Sequence, residues 1–270
     1  MTDQISRPLD TSVPLVSAWL GGELSYLEKL CLTSMVDVGH RIILYSYNEL
    51  KGVPVGVEMR DAAEVMLKSD FICYSNGSFA LGSDLFRYRL FSLFPCVWID
   101  TDMFLLRRME TFGGYVFGWE DDRYINTAIL GLPQNCPLLI DIDLLLSKEA
   151  FFAPWWDEEQ VKAQEAAVLS GTPIPLAELP WATSGPKLIT YLAGKHEVSK
   201  YAHHPGAFYP IHWRDYQLPF LSGNHVDAKL DENTVGVHFW NHMLGDLKAA
   251  PEGGSFVEKQ CQKYEIRIQS

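Results

Sequence analysis

Val13-Pro-Leu-Val-Ser-Ala-Trp19 and Arg41-Ile-Ile-Leu-Tyr-Ser-Tyr47 are the two runs that decide the fold. Both are short and mostly apolar, as strands buried on both faces of a sheet are. Between them, leucines at helical spacing follow Gly21-Gly22, and Gly39 marks the end of that helix. A strand, a helix and a second strand in this order predict a parallel sheet, and therefore an α/β fold.

The rest of the chain extends this pattern. The further predicted segments are a helix at 78–93, strands at 96–100, 115–119, 127–132, 208–211 and 235–239, and a final helix at 253–266. Between residues 132 and 208 the pattern is mainly helical. The strand-rich first half and helix-rich middle predict one α/β domain with a mixed, mostly parallel sheet and a helical insertion.

Composition and charge limit the classes of function. Hydrophobic residues make up 47% of the 270 residues, which is enough for a packed core. The net charge of −12 argues against DNA or RNA as partner, because affinity for nucleic acids rests on Lys and Arg. Five cysteines at irregular spacing form no metal motif and predict reduced thiols. No signal peptide or transmembrane segment is visible, so we expect a cytoplasmic protein, either free or peripheral to a membrane.

Asp100 and Asp102 are the clearest candidate site. They follow the apolar run Val97-Trp-Ile99, and residues i and i+2 of an extended chain point to the same side. Ligands of α/β folds bind at the carboxyl ends of strands, so we expect both carboxylates to converge there on one Mg²⁺ or Mn²⁺ ion. The alternative is a surface turn with two solvated acids, which the bulky apolar residues on both sides disfavour.

Two other motifs are interpreted as structural. Asp141 and Asp143 lie in a run with helical spacing, where residues i and i+2 cannot chelate one ion, so they are predicted to form a solvated helix face. The aromatic run Phe151-Phe-Ala-Pro-Trp-Trp156 is predicted to pack in the core at a proline turn. If it were exposed, it would mark an acceptor site or a lipid surface.

The order of motifs resembles one enzyme family. Gly82-Ser-Asp-Leu-Phe-Arg-Tyr-Arg-Leu90 and Trp98-Ile-Asp-Thr-Asp-Met-Phe-Leu-Leu106 are similar to segments of the DXD-containing sugar-binding glycosyltransferases. These include α-1,4-galactosyltransferases and the initiating α-1,6-mannosyltransferase, with the large clostridial glucosylating toxins as more distant relatives. The further segments that resemble the family are 18–22, 39–47, 126–133 and 237–241. One departure is Phe94-Pro-Cys96, which stands where the family has Gly-Gly and alters the turn before the strand.

The resemblance implies a GT-A fold, a Rossmann-like nucleotide-sugar-binding domain, over residues 1–270. Its nucleotide- and metal-binding core would span about 13–135, a helical insertion with the acceptor region about 136–232, and a closing segment about 233–270. It implies a retaining, Mn²⁺- or Mg²⁺-dependent hexosyltransferase. The donor would be a nucleotide-diphosphate sugar, UDP-hexose first and GDP-mannose second, and the acceptor a saccharide, a lipid-linked compound or another hydroxyl.

Residue roles carry over onto the matching positions. Those implied as catalytic are Asp84, Arg87, Asp100, Asp102 and Asn126. Those implied to bind the nucleotide sugar are Trp19, Tyr47, Asp84, Arg87, Asp100, His238 and Trp240. Those implied to hold the metal are Asp100, Asp102 and His238.

Without the resemblance, several of these residues have plainer interpretations. Asp84 and Arg87, at i and i+3 of a helix, would form an ordinary surface ion pair. Trp19 would be a core tryptophan, and His238 a half-buried histidine with a backbone partner. Glu120-Asp-Asp122 could contact sugar hydroxyls or supply a base, but is more typical of a solvated turn.

Two other functions stay open from the sequence. Phosphatases of the haloacid dehalogenase type also carry Asp-x-Asp after an apolar strand, although Gly-Thr follows their motif and Met103-Phe104 follows this one. A nucleotide-sugar sensor would bind the donor without transferring it.

Overall fold

The computed structural model describes residues 6–268. Its strands are β1 (Arg7–Pro8), β2 (Leu15–Ala18), β3 (Ile42–Ser46), β4 (Val57–Asp61), β5 (Val97–Ile99), β6 (Met103–Leu105), β7 (Glu110–Thr111), β8 (Val116–Trp119), β9 (Ile125–Gly131) and β10 (Gly236–His238). Its α-helices are α1 (Tyr26–Asp37), α2 (Ala80–Leu93), α3 (Pro137–Leu146), α4 (Glu158–Leu169), α5 (Pro186–Lys195), α6 (Pro205–Phe208) and α7 (Phe256–Lys263).

A six-stranded sheet with the order β4-β3-β2-β5-β9-β8 forms the centre. The first four of these strands are parallel, and β9 and β8 each run antiparallel to their neighbour. The predicted α/β class and the mixed, mostly parallel sheet are therefore confirmed. Strand β4, which the sequence pattern did not indicate, is a partly exposed edge strand with polar residues at alternate positions.

The two faces of the sheet have separate cores because alternate residues of each strand point in opposite directions. Leu15 and Ile42 pack with α1 and α7 on one face. Val16 and Ile43, the next residue of each strand, pack with α2, α3 and α5 on the other. This three-layer arrangement is the one that strands alternating with helices predict.

Helix α1 has well-defined ends, as the sequence predicted. Ser25 caps its first turn, and Glu28 accepts a hydrogen bond from the Ser25 N–H at 2.7 Å, which completes a capping box. Gly39 follows the helix with φ of +87°, a conformation that favours glycine. The turn returns the chain to β3 and so completes the βαβ unit.

Three predictions about local structure need correction. Residues 208–211 are not a strand, because Pro205 starts the one-turn helix α6 and the His204 ring caps it. The final helix is shorter than predicted and begins only after Ser255, whose hydroxyl caps it. Asp141 is not simply solvated, since Lys195 and His196 each approach its carboxylate at 2.7 Å, whereas Asp143 is exposed.

The middle of the chain behaves as predicted, whereas the aromatic run is only partly buried. Helices α3, α4 and α5 follow β9 and supply the helical insertion. Phe151 is buried, and Trp155 and Trp156 pack half-buried against its cluster. Within residues 6–268, none of the helices combines the length and the apolar character that crossing a membrane requires.

Candidate active site

A cavity of about 720 Å³ opens at the carboxyl ends of β2 and β5, where α/β folds bind their ligands. All but one of the predicted site residues line it. They are Trp19, Asp84, Arg87, Asp100, Asp102, Asn126, His238 and Trp240. Tyr47 is the exception, because its hydroxyl donates to the Met66 carbonyl and its side chain is not part of the cavity wall.

Asp100, Asp102 and His238 come together although β10 is far from the two acids in sequence. Strand β10 pairs antiparallel with β6, and its register places His238 opposite Met103, next to Asp102. One possible ligand atom from each of the three residues lies within 4.8 Å of the others. The structure thus assembles the three residues that the resemblance implied as metal ligands.

The set of possible ligand atoms fits a divalent ion. Two carboxylates and one imidazole are common protein ligands of such ions. Asp102 and His238 are both buried, and His238 Nδ1 has no hydrogen-bond partner among the described residues. The ring nitrogen that faces the cluster is His238 Nε2, 3.2 Å from an Asp102 carboxylate oxygen, so Nε2 is the atom placed to join the carboxylates on an ion.

Electrostatic neighbours set the charges of this cluster. Burial alone would raise the pKa of Asp102, but the His238 ring 3.2 Å away and the Asn241 N–H that donates at 2.9 Å together lower it. For Asp100 burial outweighs the attraction of Arg87, and its pKa is raised. Burial would lower the pKa of His238, but the Asp102 carboxylate reverses this and raises it. Asp102 is thus the member of the cluster most firmly held as an anion.

Arg87 brings a fixed cation to the cavity from α2. Its guanidinium lies 3.7 Å from Asp84 and 3.5 Å from Asp100, donates to the Thr127 carbonyl and stacks 4.6 Å from the Trp98 ring centroid. Only 5% of its side chain is exposed. The interpretation as an ordinary surface ion pair is therefore wrong, and the site holds a buried, positioned cation.

Asp84 connects Arg87 to the helical insertion. Burial raises its pKa to about 6, although Arg87 and a hydrogen bond from Ser184 Oγ at 2.7 Å oppose the rise. The next residue, Gly185, approaches so closely that a Cβ atom there would lie 2.8 Å from an Asp84 carboxylate oxygen. No local sequence pattern indicates this contact, because Ser184 lies 100 residues from Asp84.

Asn126 is held by hydrogen bonds on both sides of its amide. Its oxygen accepts from the Ala128 N–H at 2.7 Å, and its nitrogen donates to Glu120 at 2.6 Å. Burial raises the pKa of Glu120. Glu120 is thus a partner of the site rather than part of a solvated turn, whereas Asp122 is fully exposed at the turn.

Two tryptophans line the cavity, and their environments differ. Trp19 is half-buried, and its indole N–H donates to the Gly22 carbonyl at 2.7 Å. Trp240 is buried, donates to the Ile211 carbonyl at 3.0 Å and lies 4.0 Å from the His238 ring between centroids. Its φ of +52° is a strained value for a bulky residue. Trp240 therefore fixes the orientation of His238, while Trp19 keeps part of its ring accessible.

The buried carboxylate of Glu28, which the sequence analysis missed, is linked by hydrogen bonds to the cluster of Asp100, Asp102 and His238. Glu28 is completely buried and accepts hydrogen bonds from Lys248 Nζ at 2.6 Å and Asn241 Nδ2 at 3.0 Å. The N–H of the same Asn241 donates to Asp102. The capping box at Ser25 marks Glu28 in the sequence, but nothing there indicates its partners, which lie 213 and 220 residues away.

Comparisons with known proteins agree with the resemblance. Residues 178–269 match the sequence profile described as the alpha 1,4-glycosyltransferase conserved region. This match covers about a third of the chain, and it includes Ser184, His238 and Trp240. It confirms the predicted resemblance to a glycosyltransferase family and the prediction that the chain is a glycosyltransferase. No curated protein sequence shows significant similarity to the chain.

Two solved structures show more distant similarity. One is described as PaToxG glycosyltransferase, with 12% identity over 74% of this chain and 76% of its own, and a TM-score of 0.46. The other is a transferase mutant with two cysteine-to-serine substitutions, with 11% identity over 74% of this chain and 94% of its own, and a TM-score of 0.38.

Proposed function

We propose that this glycosyltransferase moves a hexose from a nucleotide-diphosphate sugar, UDP-hexose first, to a saccharide or other hydroxyl acceptor, with retention and with a divalent ion. The observation that carries the proposal is the cluster of Asp100, Asp102 and His238 beside the buried Arg87 on one cavity of about 720 Å³. A nucleotide-diphosphate sugar contains a negatively charged diphosphate, a nucleobase and a sugar. The diphosphate needs the ion and the cation, and the whole ligand needs a cavity of this volume.

Asp100, Asp102 and His238 would hold Mn²⁺ or Mg²⁺. A divalent ion bound there supplies positive charge to a diphosphate as the bond to the sugar breaks. Arg87 adds a second positive charge without reorganisation, because its guanidinium is already fixed by four neighbours. Such preorganised charge is most effective in a water-poor site.

The remaining cavity residues have roles in binding the donor. The partly accessible ring of Trp19 offers a stacking face for the base. Asp84 and Asn126 line the same cavity, and we propose that they form hydrogen bonds with ribose or sugar hydroxyls. Trp240, which lines the cavity and packs against His238, would close with His238 over the diphosphate.

Retention is the stereochemistry that these residues favour. Inversion needs a general base opposite the leaving group. Glu120, the carboxylate left open for that role, is hydrogen-bonded to Asn126 and is not part of the cavity wall. On a retaining front-face route the departing phosphate itself accepts the proton of the acceptor hydroxyl, and the protein needs only to position both substrates.

The location that we propose is the cytoplasm. All five cysteines are unpaired, and four of them are buried. Free thiols of this kind are typical of proteins in a reducing compartment.

The deciding experiment combines donor binding with turnover. Nucleotide sugars would be screened by thermal shift with Mn²⁺ and with EDTA, and nucleotide release would then be measured with the best donor. We expect Mn²⁺-dependent stabilisation by one donor and nucleotide release. Binding without release would support the sensor, and equal release in EDTA would contradict metal dependence. NMR of the first product from an α-linked donor should show an α linkage, and a β linkage would overturn retention.

A further inference from the structure

A second cavity, of about 440 Å³, shares two chain segments with the donor cavity. Its volume lies within the range of roughly 300–1,000 Å³ that small-ligand sites have. Tyr124 lines the second cavity, and Asn126, two residues later, lines the first. In the second segment, Thr183 and Lys187 line the second cavity, whereas Pro186 lines the first. The two cavities are therefore neighbours separated by these short segments.

Four aromatic side chains form much of the wall of the second cavity. They are Tyr124, Trp155, Trp156 and Tyr191. Tyr191 is 38% exposed, and its ring centroid lies 5.7 Å from that of Trp155. Aromatic rings that are fixed on one side by packing and open on the other offer flat apolar faces, which match the C–H faces of a pyranose ring.

Polar groups complete the wall. Gln160 uses its amide oxygen to accept from the Asp157 N–H, so its amide nitrogen stays available as a donor. Lys187 adds an ammonium group, and no acid is among the lining residues. A few hydrogen-bond donors around aromatic faces suit a ligand with many hydroxyls. They do not suit a second metal ion, which would need carboxylates or imidazoles.

We infer that the second cavity binds a pyranose unit of an oligosaccharide acceptor, next to the unit that receives the transferred sugar. The inference rests on the proposed function, because it takes the first cavity as the donor site. The shared segments at 124–126 and 180–187 would place one saccharide across both cavities. The aromatic run at 151–156, which packs on one side, then contributes its two tryptophans to recognition of the acceptor.

Binding to saccharides tests the inference directly. An array of defined di- to tetrasaccharides would be probed with the full chain, and the best ligand measured by calorimetry. We expect Tyr191→Ala and Trp156→Ala each to weaken binding at least tenfold. Trp213→Ala is the matched control, because Trp213 is also a half-buried tryptophan but lines neither cavity. It should leave the saccharide affinity unchanged.

Three outcomes would overturn the inference: no binding on the array, unchanged affinity in both cavity variants, or an equal loss in Trp213→Ala. Tyr191→Ala keeps the test decisive if Trp156→Ala fails to fold, because the exposed Tyr191 contributes less to the core. Saccharide binding needs no donor, so the result stands by itself. Absence of nucleotide release with any donor would instead contradict the proposed function.

Discussion

At the scale of the residue, Asp102 is the position on which the proposed metal binding should depend most. Asp102→Asn removes the charge that is held most firmly in the cluster, so we expect Mn²⁺ affinity to fall sharply and nucleotide release to fall by about 100-fold or more. Calorimetric titration with Mn²⁺ and an assay of nucleotide release would measure both. Asp143→Asn, in the other Asp-x-Asp pair, alters an exposed carboxylate and should change neither. Normal Mn²⁺ affinity in Asp102→Asn would contradict the assignment.

Glu28 tests whether the buried carboxylate supports the site. Glu28→Gln keeps the shape but leaves Lys248 Nζ without its charge partner, and we expect a loss of about 1–3 kcal/mol in the free energy of unfolding. Weaker Mn²⁺ binding should accompany it, because Asn241 contacts both Glu28 and Asp102. Urea denaturation and Mn²⁺ titration measure the two effects. The control, Glu158→Gln, breaks an exposed pair with Lys162 and should change stability by less than about 0.5 kcal/mol.

At the scale of the element, the start of α5 is fitted to the carboxylate of α2. A Cβ atom at Gly185 would lie 2.8 Å from Asp84, so Gly185→Ala should destabilise the fold by about 1–3 kcal/mol and weaken donor binding. Gly194 lies within the same helix and has nothing within 4 Å of its would-be Cβ. Gly194→Ala should therefore stabilise the protein by up to about 1 kcal/mol. Thermal unfolding of the two variants gives the comparison, and shifts of the same sign would contradict it.

Some features of the fold and of the site were predictable from the sequence, and others were not. The βαβ unit and the Asp100–Asp102 pair were predictable because strand periodicity and i, i+2 geometry are local. The contacts of Ser184 with Asp84 and of Lys248 with Glu28 span 100 and 220 residues, and no local pattern encodes them. Residues 208–211 were wrongly predicted as a strand from their apolar character. Pro205 and the capping ring of His204 instead start a helix that runs to Phe208.

At the scale of the whole molecule, stability should depend on pH through His40. Burial lowers its pKa to about 4 from the usual 6.5, and its Nε2 accepts from the Met109 N–H. Because the folded state binds this proton less tightly than the unfolded chain, the contribution of His40 to stability is constant above pH 6.5 and falls as the pH drops towards 4. We expect His40→Gln to reduce this fall when urea unfolding is measured across that range. An unchanged pH profile would show that other groups cause it.

The pairing of β10 with β6 has a consequence for the order in which this protein matures. During synthesis the ribosome delivers Asp100 and Asp102 well before His238, and the Asn241 contact with Asp102 spans 139 residues. Contacts of such long range form late in folding. A nascent chain can thus complete its βαβ unit while its ion site still lacks a ligand. The full set of three candidate ligands is therefore present only after β10 has paired with β6.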